Sequence, residues 1–233
     1  MKQLYKKELN YYLNNPIGYI VVILFALFAN FLFVKDLFVV GSASMRPFFS
    51  LLPWLLMVFV PALSMRILAE EKRSNTIEVL LTLPVSESQI VLAKFGALIT
   101  MVALAFALTL SLPVSLSVLS TLYLPEVIIG YLGALFLVAA FIALSMFFSG
   151  QTKNQVVAFL LSILSVFFLL VISTDFTATV LPRAMQNFLS YFSPIYHFRN
   201  FIKGVVDARS VFYFLSLTIL FLFLTVTGLE KRK

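Results

Sequence analysis

Long apolar stretches alternate with short polar interruptions along the chain, and this pattern predicts the secondary structure. Each apolar stretch is about long enough to cross the roughly 30 Å hydrocarbon core of a bilayer as a helix. The predicted spans are residues 17–34, 47–68, 90–123, 127–148, 156–173 and 211–229. The third stretch exceeds one span and contains Pro113, so we expect a kink or a break into two helices there. The pattern favours an all-α membrane protein with six transmembrane helices in a single domain, residues 1–233.

Residues 1–14 carry an amphipathic pattern that precedes the first span. Lysine and asparagine fall largely on one side of a helix, and the opposite side holds apolar residues, namely Tyr5, Leu9, Tyr12 and Leu13. Such a helix lies in the headgroup plane of a membrane. A frayed basic tail explains the same residues equally well. Asn15 and Pro16 predict an N-cap and the first helical position of the span that follows.

Residues 69–89 form the long polar interruption of the first half of the chain. A short helix is predicted inside it, because Asn75 with Glu78 makes a capping box. One side of that helix is apolar, with Ile77, Leu80 and Leu81. Pro84 ends it. A short amphipathic helix at the membrane face suits force transmission or partner docking, whereas a solvated loop is the alternative.

Two features flank this short helix. Glu70, Glu71, Lys72 and Arg73 make a compact charge cluster before it, suited to ion pairs with a partner. Exposed ion pairs are individually weak, so they would orient a partner more than bind it. Ser86 and Gln89 predict a second capping box, which opens the third span.

Residues 174–210 are too apolar for a solvated loop and too charged for a span. We predict two short amphipathic helices, broken at Ser193–Pro194. The apolar side of the first helix holds Val180, Leu181, Ala184, Met185, Phe188, Leu189 and Phe192, and that of the second holds Ile195, Phe198, Ile202 and Val205. Together they could form a re-entrant hairpin, provided that protein covers their backbone ends.

Composition agrees with a membrane protein and restricts the chemistry. Hydrophobic residues make up 61% of the 233 residues, only 12% are charged, and cysteine is absent. The net charge of +7 is better explained by basic loops at a membrane face than by nucleic-acid binding. With six spans both termini share one side, which holds eleven of the Lys and Arg residues against six on the other. The excess of basic residues therefore predicts cytoplasmic termini and a cytoplasmic 69–89 segment.

The sequence lacks the residues that several functions of membrane proteins require. The interiors of the predicted spans hold no Asp, Glu, Lys, Arg or His, which disfavours proton-coupled transporters and voltage sensors. His197 is the single histidine, and an isolated histidine is far more often a packing or surface residue than a metal ligand. No phosphate-binding G-x-x-x-x-G-K-[ST] motif is present. We therefore expect no enzyme activity in this chain and no cofactor or metal bound to it.

Three stretches resemble the ABC-2 type permeases, the membrane subunits of many bacterial ABC exporters. The stretch E-E-K-R-S-N-T-I-E-V-L-L-T-L-P-V-S, Glu70–Ser86, resembles the cytoplasmic signature of that family. N-N-P-I-G-Y from Asn14 and S-P-I-Y-H-F-R-N-F from Ser193 resemble most the subgroup associated with bacterial gliding motility. Asn75 stands where a glycine is often found, a departure that a residue tolerant of the left-handed conformation can absorb.

The resemblance implies a fold and a mechanism for nearly the whole chain. Residues 1–14 would be an elbow helix, and 76–83 a coupling helix that docks on a cytoplasmic ABC ATPase. Residues 180–207 would be a re-entrant outer gate. The coupling residues would be Glu70, Glu71, Lys72, Arg73, Thr76, Ile77, Glu78, Leu80 and Leu81, and the gate residues Phe188, Phe192, Pro194, Tyr196, His197 and Phe198.

The implied assembly contains other polypeptides. Two permeases, identical or different, would pair around the translocation path in the bacterial inner membrane. ATP and Mg would bind to the partner ATPases, which would rock the permeases as they close. Lipid would surround the chain, an accessory extracytoplasmic subunit is compatible with it, and nucleic acid is not expected.

Three functions compete on the sequence. The leading one is the permease of an ATP-driven exporter, and the Phe- and Leu-rich, charge-free spans favour an apolar or amphipathic substrate. The second is a mechanical anchor in an ABC-type complex that moves no substrate. A membrane enzyme that acts on lipid is the third, and it lacks any catalytic constellation.

Overall fold

The protein is described here by a computed structural model, which covers residues 2–40, 44–77, 85–119, 121–172, 185, 189 and 191–230. All regular structure in these residues is helical, which confirms the predicted class. The helices are α1 Lys2–Asn14, α2 Pro16–Val40, α3 Arg46–Ser64, α4 Arg66–Arg73, α5 Glu87–Thr109, α6 Ser111–Leu119, α7 Leu124–Gln151, α8 Gln155–Val171, α9 Pro194–Ile202 and α10 Ala208–Glu230.

Five helical segments of the described residues are long and apolar enough to cross a membrane. They are Pro16–Lys35, Arg46–Arg73, Glu87–Val118, Leu124–Gln151 and Ala208–Glu230. Helix α8 is also apolar but has 17 residues, or about 25 Å of helix. Five of the six predicted spans are thus present by length and composition, and the span predicted at 156–173 remains a prediction.

The helix bounds differ from the sequence expectation at two of the polar interruptions. The first span was expected to end at residue 34, but α2 continues to Val40. Lys35 and Asp36 are single charged residues that a helix tolerates, and the next glycine after them is Gly41. The second span, expected to end near Leu68, continues as α4 to Arg73.

Successive spans run in opposite directions, which sorts the connections to two ends of the bundle. One end holds α1, α4, the start of α5 and residues 152–154, and we call it the α1 end. The other holds residues 44–46, 121–126 and 191–207, and we call it the Glu126 end. A hydrogen bond network crosses each end, around Lys94 and around Glu126 respectively.

Helix α7 is the central helix, since it packs against α3, α5, α8, α9 and α10. Two glycines allow close packing on it. A Cβ at Gly130 would lie 2.4 Å from the ring of Phe49, and one at Gly133 would lie 2.4 Å from the Cβ of Phe201. The absence of a side chain at both positions lets α3 and α9 approach the α7 backbone.

The break that Pro113 predicts is present, since α5 ends at Thr109 and α6 begins at Ser111. Proline has no N–H, so the carbonyl four residues earlier, that of Thr109, loses its helical partner. The Tyr131 hydroxyl of α7 lies 3.3 Å from this carbonyl and 3.0 Å from the Thr109 hydroxyl. A side chain on the central helix thus takes over the bond that the proline removes.

Replacing Tyr131 with phenylalanine should lower the free energy of unfolding by about 1 kcal/mol, because the Thr109 carbonyl would lose this donor while the ring packing is kept. Thermal unfolding in detergent measures the change. Tyr123→Phe is the control, since Tyr123 is 61% exposed and its loss should have no effect. Equal stability of the Tyr131 and Tyr123 variants would contradict the role given to this hydroxyl.

Candidate functional site

The predicted coupling region follows a break between α3 and α4 at the α1 end. Ser149 of α7 inserts its hydroxyl there: it donates to the Met65 carbonyl over 2.9 Å and accepts from the N–H groups of Leu68 and Ala69 over 3.2 and 3.1 Å. In an uninterrupted helix each N–H bonds to the carbonyl four residues earlier. A side chain inserted into that ladder is a known cause of helix kinks. Helix α4 is therefore an arm joined to the second span through a weakened joint, the Ser149 break.

An ionic cluster joins this arm to two other helices. Lys94 Nζ of α5 lies 2.9 Å from Glu8 Oε1 of α1 and 2.6 Å from Glu71 Oε1 of α4. The lysine side chain is 1% exposed, and the two carboxylates are 8% and 19% exposed. Buried charges cost several kcal/mol to desolvate unless they are paired with good geometry. We call Glu8, Glu71 and Lys94 the Lys94 cluster.

Two tyrosines hold α1 in place beside the Lys94 cluster. Tyr5 Oη lies 2.7 Å from Thr100 Oγ1 of α5, and the Tyr12 hydroxyl donates to the Leu63 carbonyl over 3.1 Å. Leu63 precedes the Ser149 break, so α1 also contacts the backbone of that joint. Burial raises the pKa of the Tyr12 phenol, and the nearby Glu8 carboxylate raises it further. Tyr12 therefore remains a hydrogen-bond donor at every physiological pH.

The corner between α1 and α2 is tight. A Cβ at Gly18 would lie 2.2 Å from the carbonyl oxygen of Tyr12, so only glycine fits this position. The predicted cap of α2 is confirmed, because the Asn15 side chain accepts from the Ile17 N–H over 3.1 Å. A displacement of α1 is therefore passed directly to the first span.

A cleft of about 260 Å³ lies between α1 and α4, next to the Lys94 cluster. Its walls come from both helices and from the turn that follows α4. The lining residues are Lys7, Glu8, Tyr11, Tyr12, Arg66, Ile67, Glu70, Glu71, Ser74, Thr76 and Lys94. Within the described residues no group of three or more His, Asp or Glu side chains could hold a metal ion.

The four charges before the predicted coupling helix do not share one environment. Glu70 pairs with Arg66 over 3.2 Å and accepts a hydrogen bond from the Gln155 side chain of α8. Glu71 belongs to the Lys94 cluster, and Lys72 is buried at 2% exposure. Arg73 is exposed. The cluster that the sequence suggested for a partner is therefore largely engaged within the chain, and Arg73 is the charge most open to another protein.

The chain matches the family model of the ABC-2 family transporter proteins over residues 3–230. It belongs to this family. No curated protein matches the sequence. Membership of the ABC-2 family identifies a multi-pass membrane permease subunit of an ABC transporter, which works with an ABC ATPase and a partner permease.

The signature stretch of this ABC-2 permease is described as far as Ile77. Asn75 has a φ of 55°, which lies in the left-handed region. This conformation fits a position where glycine often stands in the family. A residue in this conformation commonly follows the C-cap of a helix, and Asn75 follows Ser74, the C-cap of α4. Residues 76 and 77 are helical again, and the capping box expected between Asn75 and Glu78 stays a prediction, because Glu78 lies outside the described residues. Thr76 is exposed, whereas Ile77 is 8% exposed and packs in the core of the chain.

The remaining predicted coupling residues, Glu78, Leu80 and Leu81, lie outside the described residues, as does Pro84. Val85 is the next described residue, and the predicted cap of α5 is confirmed beside it. The Ser86 hydroxyl accepts from the Gln89 N–H over 3.3 Å. The coupling role of this segment stays a prediction.

At the Glu126 end the predicted gate residues are partly described. Phe188 lies outside the described residues, while Phe192 and Tyr196 are 52% and 40% exposed. Helix α9 begins at Pro194, at the predicted break, and Ser193 is its N-cap. Its buried residues are Pro194, His197, Phe198 and Phe201. Val205 was also expected on the apolar side of α9. The helix ends at Ile202, so Val205 lies beyond it and is 56% exposed.

His197 is a structural residue in this ABC-2 permease. Its Nε2 lies 2.9 Å from the Tyr191 carbonyl and its Nδ1 lies 3.4 Å from Ser210 Oγ. A carbonyl only accepts hydrogen bonds, so Nε2 carries the proton. The ring also stacks on Tyr213 at a centroid distance of 4.2 Å. The histidine thus fixes the turn before α9 to the start of α10.

Sequence reasoning missed the residues that join these elements. Glu8, Lys94 and Ser149 are absent from the predicted site, and so is Glu126, which directly precedes the predicted span 127–148. Glu126 is 5% exposed. It accepts from Ser44 Oγ, the Met45 N–H and Arg46 Nε over 2.8, 3.1 and 2.9 Å. One signal was available for Glu8: it lies three residues after Tyr5 and four before Tyr12, on the packed side of α1.

Proposed function

We propose that this ABC-2 permease is the membrane subunit of an ATP-driven exporter. Two permeases pair around the translocation path, and two separate cytoplasmic ATPases bind ATP and Mg and supply the energy. Both termini and the α1 end face the cytoplasm, in keeping with the excess of Lys and Arg there. Substrate moves outward and leaves past residues 180–207, which act as the outer gate.

One observation carries the proposal: α4 leads directly into the predicted coupling segment and is connected in two different ways. The Lys94 cluster ties it to α1 and α5, and the Ser149 break joins it to α3. An ATPase that pushes on residues 76–83 therefore acts on an arm that reaches three helices of the bundle. Such an arm suits the transfer of motion from an ATPase to membrane spans.

The first experiment is a co-purification. The chain is tagged near Lys233, extracted gently from its native membrane, and assayed for associated proteins and for ATP hydrolysis. An ABC ATPase in fixed ratio to the permease is the expected result. Recovery of the chain with no ATP-hydrolysing partner would overturn the proposed function.

Replacing Leu80 and Leu81 together with aspartate should release the ATPase. The two leucines are proposed anchors in a groove of the ATPase, and losing such anchors costs at least about 2 kcal/mol, or roughly 30-fold in affinity. The ratio of ATPase to permease after purification measures this. Ser88→Asp is the matched control, because it adds an acidic residue at an exposed position nearby and should leave the ratio unchanged. An undiminished ratio in the leucine variant would remove the coupling role from this segment.

The proposed substrate is apolar or amphipathic. Away from their ends the predicted spans carry no charged side chain, and a charged solute would need polar partners inside the membrane. ATP hydrolysis by the purified complex should therefore rise with amphipathic compounds. Stimulation by hydrophilic solutes alone would contradict this, and a complex that hydrolyses ATP but moves no solute into vesicles would favour the mechanical-anchor function.

A further inference from the structure

The Lys94 cluster brings together three helices that are distant in sequence. Its two ion pairs join residues 86 and 23 positions apart. Lys94 is 1% exposed, so neither pair is a surface contact that water and salt would weaken. The ammonium group therefore holds α1, α4 and the first turns of α5 to one another.

We propose that Lys94 is a positioning residue that makes α1, α4 and the base of α5 one rigid unit, which moves as a whole when the ATPase acts on the coupling segment. The inference rests on the proposed function and adds to it the route of the motion. Under this proposal the N-terminal helix is part of the moving unit.

The contrast between the two connections of α4 gives the direction of this route. Toward α3 the backbone ladder is interrupted, and the hydroxyl of Ser149 replaces main-chain bonds. Toward α1 and α5 the connection is a buried pair of charge-assisted hydrogen bonds, which are roughly twice as strong as neutral ones. A displaced α4 would therefore bend at the Ser149 break and carry α1 and α5 with it.

Helix α1 in turn acts on the first span. The Tyr12 carbonyl lies so close to Gly18 that even a methyl group would not fit between the two helices. A shift of α1 toward α2 therefore displaces α2 as well, because no space separates the two helices at this contact. Motion of the unit held by Lys94 would therefore be passed directly to the first and third spans. The second span would move less directly, through the Ser149 break.

Distances between spin labels in the complex with its ATPase, reconstituted in lipid nanodiscs, test the proposal. The chain has no cysteine, so labels can be placed at will. One pair, Lys6→Cys with Ser74→Cys, reports α1 against α4, and a second pair, Ser74→Cys with Glu230→Cys, reports α4 against α10. All three positions are exposed. Each pair is measured without nucleotide and with a non-hydrolysable ATP analogue.

The expected result is a nucleotide-dependent shift in the 74–230 distance with an unchanged 6–74 distance. Glu8→Ala removes the α1 partner but leaves Lys94 paired with Glu71, so the chain should fold, and the 6–74 distribution should broaden and shift with nucleotide. Glu8→Gln keeps an acceptor oxygen and should give an intermediate width. Glu126→Ala removes a buried carboxylate at the opposite end and should leave the 6–74 distance as in the wild type.

Two results would overturn the proposal. One is a 6–74 distance in the wild type that changes with nucleotide as much as the 74–230 distance does. The other is a 6–74 distance distribution in the Glu8→Ala variant that matches the wild type. This second comparison can also be made on the chain alone in nanodiscs, without the ATPase. Failure of the proposed function has a different signature, namely that neither pair responds to nucleotide or that no ATPase binds.

Discussion

Replacing Lys94 with methionine should destabilise the folded chain by about 3–5 kcal/mol, the range for breaking a buried ion pair by removing one partner. The variant keeps the length and apolar stem of the side chain but leaves Glu8 and Glu71 buried without their cation. Each carboxylate would then have to be hydrated or protonated, although the site is buried. Thermal unfolding in detergent and the yield of monodisperse protein measure the loss.

Two variants separate the loss of the ion pairs from a simple change of shape. Arg46→Met removes the cation of the Glu126 pair, but Arg46 is 58% exposed and Glu126 keeps two other donors. We therefore expect a loss of about 1 kcal/mol or less. The triple variant Glu8→Gln, Lys94→Met, Glu71→Gln should recover most of the stability, because it leaves no buried charge in the Lys94 cluster.

Stability of Lys94→Met equal to the wild type would mean that water reaches the two carboxylates. A triple variant no more stable than Lys94→Met would mean that the loss does not come from the unpaired carboxylates. Either outcome would remove the electrostatic basis of the Lys94 cluster. The cluster would then be an ordinary part of the bundle.

The bilayer explains why the spans could be predicted from the sequence. A helix must stay apolar for about 20 residues to cross the hydrocarbon core, so its position follows from composition alone. The ends were predictable where a cap is encoded locally, as at Asn15, Ser86 and Ser193. The break at Pro113 follows from a missing N–H. All of these signals lie within a few residues of their effect.

The functional site depends on contacts that no local pattern contains. Glu8 and Lys94 are 86 residues apart, and the sequence does not say which helix faces which. The same limit explains why Glu70 and Glu71 looked available to a partner, although the fold directs them to Arg66 and Lys94. The conformation of Asn75 was predictable because it is a property of the backbone at one position.

Replacing Gly133 with alanine should displace α9 from the central helix and cost about 1–3 kcal/mol or more. The new Cβ would lie 2.4 Å from both Cβ and Cγ of Phe201. These atoms are close to the α9 backbone, and Phe201 is fully buried, so a change of rotamer cannot relieve the clash. The backbone of α9, which leads into the connection to α10, has to move instead.

The matched control is Gly228→Ala, where the new Cβ would lie 3.8 Å from its nearest neighbour, a Gln151 side-chain nitrogen. That variant should be as stable as the wild type or slightly more so, because alanine favours a helix by up to about 1 kcal/mol over glycine. Thermal unfolding of both variants gives the comparison, and protease cleavage after Arg199 or Lys203 reports whether α9 has left α7. Similar stability in the two variants would show that α9 is not packed on α7 as closely as Gly133 requires, and the Glu126 end of the bundle would then need another anchor than Phe201.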